Sequence, residues 1–184
     1  MEEQETPPTL INHAAKWGII SGAVGILMTV LLYVVDYTAM VTFKFLGVAI
    51  VIGLGIVIYA GIDYRKSIGG YLSYGKAWQH GFVAFAISGI IGVIFQMLMY
   101  NVIDTELPEK MADAIVENTR EMMANFGAPE GQMDEALEKA RADSLDRFTI
   151  VGMAKGYLFQ LIGVAIIALI TAIFVKKNPP VDQM

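Results

Sequence analysis

GYLFQLIGVAIIALITAIFV, running from Gly156 to Val175, decides the fold. It contains no Asp, Glu, Lys or Arg, and a hydrocarbon core of roughly 30 Å needs about 20 such residues in a helix. Three further stretches share this character: Trp17 to Val35, Phe45 to Ile62 and Gly81 to Ile103. Backbone groups in lipid must be satisfied within the segment, so continuous apolar runs of this length are helices; barrel strands would alternate in shorter segments. The expected fold is all-α, an integral membrane four-helix bundle. One membrane domain covers residues 1–184, with spans at about 17–35, 45–62, 81–103 and 156–175.

Composition bounds the class. With 184 residues, 55% hydrophobic content and a mean hydropathy of +0.55, the chain is too apolar for an ordinary soluble domain and short for a multi-pass transporter. There are no cysteines, which removes disulfides and thiolate metal sites together. The first apolar run does not read as a signal peptide. Its leader, Met1-Glu2-Glu3-Gln4-Glu5, is acidic, and Asp36-Tyr37-Thr38 stands where small residues would mark cleavage.

Positive charge flanking the spans sets orientation. Arg65, Lys66 and Lys76 lie between spans two and three, Lys176 and Lys177 follow span four, and Lys16 precedes span one; the connection after span one offers only Lys44. Both termini are therefore expected on the cytoplasmic side. Aromatic side chains favour the membrane–water boundary. Trp17, Tyr59, Tyr64 and Trp78 are assigned to inner ends, and Tyr33, Tyr37, Phe43, Tyr100 and Tyr157 to outer ends.

Residues 104–147 form an acidic extracytoplasmic insertion. Glu106, Glu117, Asp134, Glu135 and Asp146 are among its acids, against Lys110, Arg120, Lys139, Arg141 and Arg147. Pro108 suits the first turn of a helix, and Leu107, Met111, Ile115 and Met122 recur at helical spacing until Asn125-Phe126-Gly127-Ala128-Pro129 ends it. A second helix follows on the stripe Met133, Leu137 and Ala140, with Glu135 and Lys139 as an attractive i,i+4 pair. This predicts a helical hairpin extending spans three and four beyond the membrane, read as a solvated face or as a docking surface for a basic partner or a divalent cation.

In lipid, helices approach at small residues. Gly18 and Gly22, Ala49 and Gly53, the series Ala84, Ser88 and Gly92, and Gly152 with Gly156 provide them, and packing within the chain is the expected use. Gln96 and Gln160, inside their apolar runs, are candidates for an interhelical polar contact.

Chemistry has little to work with. Gly70 to Lys76 matches seven positions of a phosphate-binding loop, but Ala77 stands where Ser or Thr is needed, and no strand precedes it. His13 and His80 flank spans without a carboxylate or serine at motif spacing, and read as structural. The methionines are scattered and suit packing better than a copper site. The expectation is no catalytic residue, no cofactor and no metal. Arg65, Lys66, Tyr71, Tyr74 and Lys76 are candidates for contact with lipid headgroups or a partner.

Gly61-Ile62-Asp63-Tyr64-Arg65-Lys66, then Gly69-Gly70-Tyr71-Leu72-Ser73-Tyr74-Gly75-Lys76-Ala77 and Gly81, resembles the domain of unknown function 4199 family of small four-helix bacterial inner-membrane proteins. Ile103-Asp104-Thr105 departs from the Ile-Asp-Pro turn frequent there, with proline delayed to Pro108. The resemblance implies topology and no activity. The functional expectation is a non-enzymatic interaction or membrane-organising protein whose surroundings are the lipid bilayer and another membrane or extracytoplasmic protein met through 104–147. No nucleic acid is expected, and an oligomer is compatible with the pattern. The alternative is a small transporter or channel subunit acting as an oligomer, against which stands the lack of ionisable residues within the apolar runs.

Overall fold

A computed structural model describes residues 7–180, apart from the side chains of Glu130 and Gln132. The acidic leader lies outside the described residues. Six α-helices are present among those described: α1 (Leu10–Val35), α2 (Phe43–Ser67), α3 (Tyr74–Leu98), α4 (Leu107–Asn125), α5 (Glu130–Phe148) and α6 (Ile150–Val175). A short 3-10 helix, Tyr37–Val41, joins α1 to α2, and a π-helical turn, Met99–Ile103, continues α3. Four helices are long and apolar enough to cross a membrane: α1, α2, α3 with its π turn, and α6. Their outer faces carry large apolar side chains that water would not tolerate in such number, Val35 and Phe43 each 80% exposed and Phe159 77%. The protein is an all-helical membrane protein.

Every span helix runs past its apolar stretch. Leu10 rather than Trp17 opens α1, because the Thr9 hydroxyl accepts the Asn12 backbone N–H at 3.3 Å and caps the first turn. Asp63 extends α2 beyond Ile62, and His80 belongs to α3 ahead of Gly81. A helix ends where its capping chemistry ends it, not where hydropathy falls.

The chain divides into two compact units. The first takes the described parts of Met1–Gly25 and Phe159–Met184 together with Ala49–Ile91; the second takes Ile26–Val48 and Gly92–Leu158. Trp17, Tyr59, Tyr64 and Trp78 fall in the first, and Tyr33, Tyr37, Phe43, Tyr100 and Tyr157 in the second.

In the first unit, close approach depends on glycine. A Cβ on Gly18 would meet the Ala84 carbonyl oxygen at 2.8 Å and Ile87 at 2.9 Å, and one on Gly22 would meet Ile91 at 3.0 Å, so α1 lies directly against α3. Gly61 and Gly81, from the segment that carries the family resemblance, do the same for α6, at 2.7 Å from Val175 and 2.9 Å from Thr171 Oγ1. By contrast, Gly92 and Gly156 have nothing within 4 Å, and Gly152 meets the Asp146 carbonyl at the α5–α6 junction. The Trp78 indole and Tyr74 hydroxyl donate to the carbonyls of Ala165 and Leu169, each at 3.0 Å, pinning α3 to successive turns of α6.

In the second unit, α4 and α5 form the predicted hairpin. Gly127 (φ +70°) closes α4: its N–H reaches the Ala124 carbonyl at 3.0 Å and that of Ala128 reaches Met123 at 3.1 Å, a Schellman cap. Leu107, Met111, Ala112 and Leu137 are buried. Arg141 pairs with Asp113 across the hairpin at 2.6 Å. Glu135 and Lys139, both exposed, form no ion pair. Met99, Tyr100, Leu107, Met111 and Met153 make the core of this unit.

Candidate functional site

Three helices of the first unit bring one titratable side chain each to a common point. Thr9 starts α1 early enough to place His13 on its second turn, with Trp17 one turn further along the same face. The last turns of α2 supply Asp63 and Tyr64. On α3, Ala77, His80, Gly81 and Ala84 form a buried stripe at helical spacing, three of them small, so that the imidazole is the one bulky group on it. His13 Nδ1 lies 3.0 Å from His80 Nε2, and His13 Nε2 lies 3.2 Å from Asp63 Oδ2. The Tyr64 ring stacks on His80 at 5.4 Å between centroids and tilts against His13 at 5.2 Å.

The hydrogen bonds fix the protons. An ionised Asp63 only accepts, so His13 Nε2 carries hydrogen and a neutral His13 presents a lone pair at Nδ1. His80 Nε2 must then donate, which leaves His80 Nδ1 as a bare lone pair. That nitrogen is buried and has no hydrogen-bond partner among the described residues. His80 is 0% exposed, whereas the Asp63 side chain is 48% exposed. The result is a hydrogen-bonded chain from a half-exposed carboxylate to a sealed, unpartnered nitrogen. The ring nitrogens that face each other are used by that bond, and among the described residues no group of three His, Cys, Asp or Glu is placed to hold a metal ion.

This chain corrects the reading of both histidines as isolated flanking groups. His80 is wholly buried with a specific partner, and the carboxylate absent from motif spacing arrives from 50 residues away in sequence. Nothing local announces it. The available signal was that three span ends on one predicted face each carry a titratable residue within four positions of the apolar run.

The candidates for headgroup contact divide. Arg65 donates to the Val175 carbonyl at 2.7 Å, and Tyr74 to Leu169, as described. Leu72 and Lys177 exchange two backbone hydrogen bonds of 2.9 Å, which brings the Lys177 ammonium 5.6 Å from the Tyr71 ring and Lys176 5.7 Å from that of Tyr74. Arg65, Tyr71 and Tyr74 thus hold the chain after α6 against the α2–α3 turn. Lys66 and Lys76 are exposed. The turn itself is a second Schellman cap, at Gly69 (φ +95°) and Gly70 (φ +89°), with Gly70 N–H on the Arg65 carbonyl at 2.8 Å. Gln96 and Gln160 are both exposed, and neither side chain has a hydrogen-bond partner among the described residues.

In the second unit a smaller polar group closes the start of α4. The Tyr33 hydroxyl donates to Asp104 Oδ2 at 3.1 Å, and Lys110 Nζ lies 3.7 Å from that oxygen and 3.1 Å from Glu106. Removal from water pushes the Asp104 carboxyl up, but Tyr33, the Glu106 backbone N–H and Lys110 outweigh this and hold it below its ordinary range. Lys110 is raised, chiefly by its hydrogen bond to Glu106.

Four apolar spans, a polar hairpin and a hydrogen-bonded Asp63–His13–His80 chain built across three helices define a membrane protein with a buried histidine pair. The chain belongs to the family described as protein of unknown function (DUF4199), whose model matches residues 16–177. Asp63 and His80 lie within the match, and His13 just before it. No curated protein and no solved structure matches the chain.

Proposed function

We propose that this is a non-enzymatic protein of a bacterial inner membrane, both termini cytoplasmic, whose helix packing responds to a proton taken up by the Asp63–His13–His80 chain and whose acidic hairpin engages another membrane or extracytoplasmic protein. One observation carries the reading: the chain ends on a buried lone pair with nothing donating to it. A histidine retained only for packing would have both nitrogens satisfied. Ionisable groups within membrane helices are costly and mark proton or ion pathways.

The groups around the His80 ring are His13 from α1, Tyr64 from α2 and, through His13, Asp63; α6 contributes the Thr171 hydroxyl beside Gly81, already donating to Ala168. When the packing around His80 opens and water delivers a proton to Nδ1, Nε2–H passes to His13 Nδ1, and His13 Nε2–H passes to Asp63. Each transfer breaks one N–H bond as the next forms. No ring moves, but both histidines end in the opposite tautomer. A second proton cannot follow until the rings are reset, and sealing of His80 opposes that. The chain therefore suits a responsive element better than a continuous conductor.

The alternative, a small transporter or channel subunit acting as an oligomer, gains from the same chain, which adds a buried histidine pair just beyond the apolar runs, although the runs themselves hold no ionisable residue of Asp, Glu, Lys or Arg. One experiment separates them. Full-length protein with 15N-labelled histidine in lipid nanodiscs, titrated over about pH 4 to 8, should show both rings as Nε2–H tautomers at the upper end and a coupled change on acidification that His80→Gln abolishes. Tautomers that do not change across the range would overturn the proposal. Sustained proton flux in liposomes, lost in His80→Gln, would instead favour the transporter.

A further inference from the structure

A cavity of about 250 Å³ opens in the second unit where the π-helical turn Met99–Ile103 meets α4 and α5. Helical turns of this kind are rare and sit mostly at functional sites. Tyr100, within the turn, borders the cavity; it is 9% exposed, its ring packs edge-on against Phe148 at 5.3 Å, and its hydroxyl has no hydrogen-bond partner among the described residues. That hydroxyl still reaches accessible space, since His80 Nδ1 is the one buried unpartnered side-chain atom among the described residues. Gln96 borders the same space, its amide equally unpartnered.

The one charged side chain in the wall is Arg147. In a hairpin where Arg120 pairs with Glu117, Arg141 with Asp113 and Lys110 with Glu106, Arg147 forms no ion pair among the described residues. Ser144, also in the wall, spends its proton on the Ala140 carbonyl at 2.6 Å and has only acceptor capacity left. The rest is chiefly apolar, Met111 and Phe148 among it. The guanidinium only donates, and the phenol and the amide, which can also accept, can donate beside it. Their complement is a planar anion, and a guanidinium matches a carboxylate bidentately.

We infer that this cavity binds a small organic carboxylate with an aromatic or branched apolar body, its carboxylate held by Arg147 and Tyr100 and its body among Met111 and Phe148. Size agrees: an apolar cavity of about 150 Å³ holds a benzene ring, so this one takes a ring with its carboxylate. The inference is independent of the proton chain, whose residues all belong to the first unit.

The test uses the full chain in phosphatidylcholine nanodiscs, with empty nanodiscs as the blank. Benzoate, phenylacetate and isovalerate are titrated by calorimetry, and benzyl alcohol serves as the uncharged analogue. At least one carboxylate should bind saturably and more tightly than benzyl alcohol. Arg147→Gln should weaken it at least about tenfold and Tyr100→Phe several-fold, with benzyl alcohol unaffected. Arg147 is exposed, so its variant should unfold at the same temperature as the parent, which separates loss of binding from loss of fold. Binding by none of the three, equal binding by both variants, or native mass spectrometry showing a retained lipid that the carboxylates fail to displace would each overturn the inference.

Discussion

Asp104 shows how a single residue can fasten one element to another. It ends the π turn, its backbone N–H reaching Met99 at 2.8 Å, and its carboxylate accepts from Tyr33 and from the Glu106 N–H at 3.1 Å, fastening a turn in which Thr105 stands in place of proline. Its folded carboxyl titrates below the ordinary 3.8. Folding therefore favours the ionised form: the contribution is present above 3.8 and is lost as pH falls through the lower folded value. Against Asp104→Asn, the wild type should protect the Glu106 and Leu107 amides better from hydrogen exchange near neutrality. The advantage should shrink as pH falls below about 3.8, and an undiminished gap in acid would show that the carboxylate is not the fastening. In the sequence Asp104 stood out only as the middle of a turn whose proline is replaced by Thr105. Its partner, Tyr33, lies 71 residues away, a distance that no local pattern spans.

At the scale of elements, the apolar runs and the hairpin were legible because hydropathy and helical spacing are properties of neighbouring residues. Gly127 stopping α4 and Pro108 opening it are of that kind. The helix extensions were not legible, since they depend on caps such as Thr9 and on tertiary contact rather than on hydropathy, and the proton chain sits entirely on those extensions. The small-residue pattern was half informative: it identified Gly18 and Gly22, but Gly61 and Gly81 prove to be contact glycines while Gly92 is not. A substitution pair measures the difference. Gly18→Ala drives a Cβ into the Ala84 carbonyl, which cannot rotate away, and should destabilise by about 1–3 kcal/mol in reversible unfolding from mixed micelles. Gly55→Ala, in α2 with nothing within 4 Å, should be neutral or stabilise by up to about 1 kcal/mol, since glycine weakens a helix interior. Equal effects would mean that α1 does not lie against α3 through Gly18.

For the molecule as a whole, the sequence makes one claim that packing alone cannot carry, its orientation. Arg65, Lys66, Lys76, Lys176 and Lys177 all gather in the first unit, where Lys177 is tied back to Leu72, while the acids of α4 and α5 gather in the second. Cationic flanks are retained on the cytoplasmic side and acidic segments have little say, so the α2–α3 turn should face the cytoplasm and the hairpin tip should face outward. The absence of native cysteine makes the test direct, because every thiol is then an introduced one. Ser67→Cys and Phe126→Cys both fall at surface positions, the latter 85% exposed. In intact spheroplasts a membrane-impermeant maleimide should label Phe126→Cys and spare Ser67→Cys until the membrane is opened. Detergent should then equalise the two, which shows that the protected thiol was reactive. The reverse pattern would invert the molecule, placing the half-exposed Asp63 end of the proton chain outside and the hairpin in the cytoplasm. A proton sensor would then read the other compartment, and the partner of the hairpin would have to be sought there.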